Sequence, residues 1–162
     1  MCGITGLILG NKDRTKKDLE NLKNNFNNLT VECNVRGRHA TGIMVVNPDG
    51  ITYTKMPLPA ELSVDTESWK EVMSTITNDT VAIIGHVRFA TNGDPIHNEN
   101  NHPLKSENIV GVHNGMIFNH LEMKSWYSEN DIEVDSQAIF DAINTKIKTG
   151  ISPIDSIGET LE

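Results

Sequence analysis

The sequence lacks the features that mark membrane, secreted and disulfide-rich proteins. No apolar run approaches the ~18 residues that a membrane-spanning helix needs, and no basic segment followed by an apolar stretch opens the chain as a secretion signal would. Cysteine is scarce, with only Cys2 and Cys33 in 162 residues. One disulfide is the most that they could form, and a cytoplasmic setting disfavours it. We therefore expect a cytoplasmic protein with two free thiols.

Positive charge is also scarce. Lys and Arg number 14 against 22 Asp and Glu, which gives a formal net charge of -8 and argues against sequence-independent binding of nucleic acid. A hydrophobic content of 37% with 22% charged residues is typical of a folded protein. The length fits one domain, residues 1–162, without room for a second of ordinary size.

Apolar patterns predict an α+β fold. Runs of β-branched and apolar residues predict strands at 4–9, 43–46, 51–54, 80–87 and 109–113, with the third following a tight turn at 47–50 and the fourth central in the sheet. Helical spacing predicts helices that begin near Thr15, Trp69, Asn119, Asp135 and Ser152, and residues 92–108 are predicted as a polar loop. Because strands do not alternate regularly with helices, the sheet should be largely antiparallel.

Three helix details follow from side-chain spacing. Asn119 with Glu122 three residues later predicts a capping box. Asp135 predicts an N-cap for the next helix. The last helix, opened by Ser152-Pro153, should place Ile154, Ile157 and Leu161 on its inner face.

Cys2 is a candidate nucleophile because removal of Met1 would make it the N-terminal residue. A thiol and a free α-amine on one residue form a nucleophile with its own general base. Proton transfer between them is nearly balanced at neutral pH, since the two groups have similar ordinary acidities. The alternative is that Cys2 is merely a small residue at the start of a strand.

Two further segments could bind a substrate. Arg88 follows the central strand and is succeeded by Thr91 and Asn92, so its guanidinium could clamp a carboxylate; a salt bridge or a loop-bracing arginine is the alternative. Asn114-Gly115 offers a side-chain amide and a backbone N–H that can converge on one oxygen, as in an oxyanion hole, but an ordinary turn gives the same dipeptide.

Asp135 and the histidines complete the candidate groups. The Asp135 carboxylate could hold a substrate ammonium in addition to capping a helix. Five of the six histidines lie between His86 and His120, but their spacing does not match known zinc patterns and no cysteine pair accompanies them. We expect neither a metal nor a cofactor.

The ordered set of these segments resembles a family, the class II glutamine amidotransferase domain of the N-terminal nucleophile hydrolases. The resemblance rests on segments that span nearly the whole chain: 1–6, 36–42, 88–95, 101–103, His113-Asn114-Gly115 and Asp135. It implies a four-layer α-β-β-α sandwich with largely antiparallel sheets, here apparently truncated at its C-terminus and without a synthase domain.

The resemblance also implies hydrolysis of glutamine through a Cys2 thioester, with ammonia delivered to an acceptor on a separate synthase partner. It assigns catalysis to Cys2, with Asn114 and Gly115 as the oxyanion hole. The residues that it assigns to glutamine are Arg88 and Thr91 for the α-carboxylate, Phe89 and Asn92 in the covering loop, and Asp135 for the α-ammonium.

Two residues depart from the family pattern. His39 stands where the family usually has Asp, which raises the question of how the floor of the site is braced. Phe89 replaces a common tryptophan and loses its indole N–H. Two alternatives stay open. His39 and the C-terminal truncation favour a weakly active or inactive member that serves as a binding or regulatory module. The other is an N-terminal cysteine acylase acting on another amide, against which Arg88 and Asp135 argue.

Overall fold

The computed structural model describes residues 1–10, 12–128 and 133–161. These residues form six strands and six helices, with two short 3₁₀ turns at 33–36 and 98–100. The strands are β1 (Gly3–Ile8), β2 (Ala40–Asn47), β3 (Gly50–Met56), β4 (Ala82–Arg88), β5 (Leu104–Ser106) and β6 (Ile109–Gly111). The helices are α1 (Lys16–Glu32), α2 (Ala60–Ser63), α3 (Glu67–Ser74), α4 (His120–Tyr127), α5 (Gln137–Lys148) and α6 (Pro153–Leu161).

The first sheet has four antiparallel strands in the order β1-β4-β2-β3. The apolar strand β4 pairs with β1 on one side and β2 on the other, so its predicted central position is confirmed. The predicted hairpin is also confirmed, because β2 and β3 pair with Asn47 opposite Gly50 across a two-residue loop.

Helices α1 and α3 cover one face of this sheet. Helix α1 begins where predicted, because the Thr15 hydroxyl accepts the Asp18 N–H and the Asp18 carboxylate accepts the Thr15 N–H. Buried apolar side chains from both layers form the main core, and burial of each contributes about 1.5–3 kcal/mol; they are Phe26, Ile43, Val45, Met56, Trp69, Val72, Met73, Ile76 and Ile83. This core fixes the orientation of the sheet.

The second layer of strands lies on the opposite face. Strands β5 and β6 pair antiparallel, and α5 covers them through a cluster of Leu104, Val134 and Phe140. Side chains alternate along β4, so Ile83 faces the helices while His86 stacks on His102 of the second layer at 4.2 Å between ring centroids. The order helix, sheet, sheet, helix confirms the predicted α+β sandwich.

The prediction of a loop over residues 92–108 is wrong in part, because strand β5 lies within that segment. The strand has three residues and only one fully buried apolar side chain, Leu104. Such a short pattern does not stand out in sequence. Pairing with β6 and contact with α5 define it instead.

Both predicted helix caps are wrong although both helices exist. Asn119 precedes α4 but its backbone, at φ -93° and ψ 19°, is not extended, and its side chain makes no capping hydrogen bond. Helix α5 starts at Gln137 after Ser136, whereas the Asp135 carboxylate accepts the Ile117 N–H at 2.7 Å. A tertiary contact therefore replaces the predicted cap.

The predicted inner face of α6 is wrong as well. Ile154, Ile157 and Leu161 are 82%, 41% and 67% exposed, whereas Ser156 is fully buried. Lys146 of α5 and Glu159 of α6 form an ion pair at 2.9 Å, so the polar side of α6 faces α5. Within the described residues, none of the helices combines the length and the apolar character that crossing a bilayer requires.

Candidate active site

Cys2 lies at the entrance of β1, beside the end of β4. The pairing of Gly3 with Val87 brings its sulfur to the peptide of Phe89. The Phe89 N–H donates to Cys2 Sγ at 3.3 Å, and Sγ lies 3.6 Å from the Phe89 carbonyl oxygen. The thiol is thus held by main-chain groups at a partly exposed position.

Asn114 reaches the same residue from the segment after β6. Its Nδ2 donates to the Cys2 carbonyl oxygen at 2.9 Å, although 112 residues separate the two positions. The Arg36 Nε also points at this carbonyl, at 3.5 Å. The structure therefore brings the Asn114 side chain to the residue that carries the candidate nucleophile.

Arg88 is buried, with 2% of its surface exposed, and faces the loop after β4. Its Nη1 donates to Asn101 Oδ1 at 2.8 Å, and its Nη2 donates to the carbonyl oxygens of Asn92 and Gly93. These contacts brace the loop. Loop bracing is one of the alternatives to a carboxylate clamp that the sequence leaves open for Arg88. Burial lowers the pKa of Arg88, and the negative charges of Cys2 and Asp135 oppose that shift.

The loop residues differ in what they present to solvent. Phe89 is 47% exposed, Thr91 is exposed, and Asn92 is half-buried with its carbonyl on Arg88. The ring of Phe89 packs against the ring of His39, with 5.1 Å between centroids. The segment thus offers an aromatic surface at Phe89, whose peptide contacts Cys2, and an exposed threonine two residues later.

Asp135 is 2% exposed and lies just before α5, next to the segment after Gly115. Its contact with the Ile117 N–H shapes that segment. Burial lowers the pKa of His113, and the charge of Asp135 opposes the shift. The carboxylate therefore supplies a buried negative charge that acts on both His113 and Arg88.

Two histidines lie beneath the site without acting on Cys2 directly. His86 Nε2 donates to the His113 carbonyl at 3.2 Å, while its Nδ1 and both ring nitrogens of His102 are buried without hydrogen-bond partners among the described residues. Burial lowers the pKa of His86 to about 4 and that of His102 well below its ordinary value. In the part of the chain that the structure describes, no three His, Cys, Asp or Glu side chains are grouped to hold a metal ion.

Three residues contribute to the site without a role having been predicted for them: Arg36 on the Cys2 carbonyl, Asn101 on Arg88, and His39 on the Ala90 N–H at 2.9 Å. All three lie in segments that carry the family resemblance. Their partners are separated from them by 34, 13 and 51 residues. Sequence could mark these segments but could not pair them.

The arrangement suits nucleophilic attack on an acyl group. A thiol contacts a main-chain N–H, an asparagine amide lies next to it, and a buried carboxylate and guanidinium lie deeper. Sulfur nucleophiles form covalent acyl intermediates, and amide donors stabilise the oxyanion that develops during the attack.

Enzymes that share one name are among the sequence relatives of this chain. The glutamine–fructose-6-phosphate aminotransferase (isomerizing) of Staphylococcus aureus strain Mu50 is 36% identical over 151 residues, covering 86% of this chain and 22% of the relative. The enzyme of the same name from Oceanobacillus iheyensis is 34% identical over 148 residues, with 86% and 22% covered. That from Bradyrhizobium diazoefficiens is 28% identical over 165 residues, with 99% and 24% covered. The chain therefore spans about a quarter or less of the length of these relatives.

A solved structure shares the fold. Glutamine phosphoribosylpyrophosphate amidotransferase from B. subtilis, complexed with ADP and GMP, superimposes with a TM-score of 0.60 at 21% identity, covering 98% of this chain and 32% of that one. No family model matches the sequence. The relatives, the shared sandwich and the presence of Cys2 at the start of β1 show that this chain belongs to the class II glutamine amidotransferases of the N-terminal nucleophile fold.

Proposed function

We propose that the chain hydrolyses the side-chain amide of glutamine to glutamate and ammonia through a thioester on Cys2, and that the ammonia is delivered to an acceptor on a separate partner. The observation that carries this proposal is the contact of Cys2 with both the Phe89 peptide and Asn114. Family membership supports it. We also propose that residues 1–162 act as one domain, and that it works in the cytoplasm.

The first half of the reaction requires a free amine on Cys2. Met1 is 78% exposed, which makes it accessible to an aminopeptidase. Cys2 Sγ then bonds to the amide carbon of glutamine while the α-amine takes the thiol proton. When the carbon–nitrogen bond breaks, the amine passes that proton to the nitrogen, and ammonia leaves.

The second half regenerates the thiol. Water adds to the thioester carbon, the α-amine accepts a proton from the water, and the carbon–sulfur bond breaks. The proton returns to sulfur and glutamate is released. In both halves the Asn114 amide and the Gly115 N–H stabilise the oxyanion, a role worth on the order of a hundredfold or more in rate.

Recognition of the amino-acid head group rests on charge. Asp135 would hold the α-ammonium, while Arg88 and Thr91 would hold the α-carboxylate under the loop of Phe89 and Asn92. Arg88 Nη2 donates to the carbonyls of Asn92 and Gly93, and Nη1 donates to Asn101 Oδ1. A substrate carboxylate therefore either replaces one of these contacts or binds to Thr91 in a loop that Arg88 holds in place. A site for both charged groups favours an amino acid over the substrate of a general acylase.

The acceptor is left unassigned. The sequence relatives are named for fructose-6-phosphate, whereas the protein of the solved structure is named for phosphoribosylpyrophosphate. These are two different acceptors. Glutamine is common to both names, which supports glutamine as the substrate of this chain.

Glutamate release from glutamine by the Met1-processed protein, with and without a co-purified partner, tests the proposal. Cys2→Ala should abolish release, whereas the matched variant Cys33→Ser should retain it. Burial raises the pKa of Cys33, so a glutamine-mimicking electrophile should modify Cys2 and spare Cys33. Absence of glutamate in every condition would leave the non-catalytic binding module as the better explanation.

A further inference from the structure

The position of the Cys2 sulfur depends on the peptide of one residue, Phe89. Both polar groups of that residue face the sulfur: its N–H at 3.3 Å and its carbonyl oxygen at 3.6 Å. An N–H that points at sulfur stabilises the thiolate form, which is the reactive one. Any contact that holds residues 88–90 in place therefore sets both the position and the reactivity of the thiol.

His39 holds this peptide from both sides. The His39 N–H donates to the Arg88 carbonyl at 3.0 Å, and the Ala90 N–H donates to His39 Nδ1 at 2.9 Å. Between these two hydrogen bonds, the imidazole packs against the ring of Phe89. One side chain and its own backbone thus restrain three consecutive residues just beyond the end of β4.

Gly37 permits this close approach. A β-carbon at position 37 would lie 2.5 Å from both the Arg88 carbonyl carbon and the Phe89 nitrogen, which is too near for any side chain. The segment before His39 therefore packs directly against the 88–89 peptide. His39 therefore restrains the end of β4 at a point where the backbone at Gly37 already packs against it.

The chemistry of the Ala90 contact constrains the imidazole. Because a backbone N–H can only donate, Nδ1 must carry a lone pair, and the proton of the neutral ring is on Nε2. An asparagine or aspartate oxygen can also accept at about this reach, whereas a lysine side chain has only donors. The contact thus depends on an acceptor at this position.

We infer that His39 is a positioning residue for the nucleophile: by accepting the Ala90 N–H it fixes the Phe89 peptide that holds Cys2 Sγ. The inference rests on the proposed function only in naming Cys2 as the nucleophile. Its consequence for catalysis is specific. Loss of the acceptor should lower the reactivity of the sulfur more than it weakens binding of the head group, because Asp135, the proposed ammonium contact, lies outside the restrained residues 88–90.

Two variants separate the acceptor from the ring. His39→Asn keeps an acceptor and loses the ring, and His39→Phe keeps a ring against Phe89 and loses the acceptor. Both are made in a Cys33→Ser background, so that Cys2 is the only thiol. The measurements are the rate constant for alkylation of Cys2 by iodoacetamide, kcat and KM for glutamine, and the melting temperature.

We expect His39→Phe to lower the alkylation rate and kcat on the order of tenfold, the size of one well-formed hydrogen bond, with a smaller change in KM. His39→Asn should recover most of both rates. Wild-type rates in folded His39→Phe, or equal losses in both variants, would overturn the inference. His39→Lys, with donors only, replaces His39→Phe if that variant does not fold.

The alkylation series also separates this inference from the proposed function. If the wild-type protein releases no glutamate, the glutaminase proposal fails, yet the dependence of Cys2 alkylation on an acceptor at residue 39 still decides the role of His39.

Discussion

Acidification from pH 7 to pH 5 should lower the free energy of unfolding by about 2 kcal/mol through His86 alone. Burial lowers the pKa of this imidazole from 6.5 to about 4. The ring is 1% exposed, and its Nδ1 has no hydrogen-bond partner among the described residues. A proton added there would place an uncompensated charge next to the Arg88 guanidinium, which also lowers the pKa of His86.

The direction follows from proton binding in the two states. Between pH 6.5 and about 4, the unfolded chain binds a proton at His86 that the folded chain does not. Stability from this group is therefore complete above pH 6.5 and declines as the pH falls towards 4, with a limiting slope of ~1.4 kcal/mol per pH unit. Burial lowers the pKa of His102 as well, which adds a loss in the same direction.

Urea denaturation of the wild-type protein and His86→Gln at pH 7, 6 and 5 measures this effect. The glutamine amide can still donate to the His113 carbonyl in place of His86 Nε2, but it does not titrate. The variant should therefore lose about 2 kcal/mol less than the wild type between pH 7 and pH 5. Equal losses in the two proteins would refute the assignment of a buried, neutral His86.

Three substitutions test the site and the packing around it. Asn114→Ala should lower kcat for glutamate release on the order of a hundredfold or more by deleting one oxyanion donor. A decrease in kcat of only a few fold would show that Asn114 is not an oxyanion donor. Asp135→Asn should raise KM for glutamine about tenfold or more, because a hydrogen bond to a charged group contributes ~1.5–3 kcal/mol; steady-state kinetics showing an unchanged KM would contradict the ammonium contact. Gly42→Ala should lower stability by ~1–3 kcal/mol, because its β-carbon would overlap the His102 carbonyl. Thermal melting of both variants and the wild type measures this, and Gly10→Ala, which meets open space, should stay within ~0.5 kcal/mol of the wild type.

Strong local patterns predicted the main elements correctly. The helical spacing of apolar residues after Thr15, which predicted α1, and the apolar run of β4 each contain their own signal within a short stretch. The tight turn between Asn47 and Gly50 does the same for the hairpin. Hydrogen bonds and side-chain alternation over short distances determine such features, so neighbouring residues suffice to predict them.

Features that depend on distant contacts were missed or misassigned. The Asp135 carboxylate binds the Ile117 N–H instead of capping α5, because a buried N–H from another segment competes for the same oxygen. The apolar side of α6 faces outward because its polar side meets α5. These contacts, Asp135 with Ile117 and Lys146 with Glu159, join residues that are 18 and 13 positions apart.

The sequence by itself determined the kind of protein and the candidate residues. Cys2 after the initiator methionine, the segments that contain Arg88 and Asn114, and Asp135 occur in an order that predicts the family and the sandwich. Residue type and order are sufficient for this, because they specify which chemical groups are available.

Only the tertiary structure decided how these groups act on one another. It places the Phe89 peptide on the Cys2 sulfur, turns Arg88 towards the carbonyls of its own loop, and gives His39 a hydrogen-bond role on Ala90. These pairings join positions that are between 4 and 87 residues apart. Hydrogen bonds need donor and acceptor within about 3 Å and in line, and packing of the two layers sets those distances.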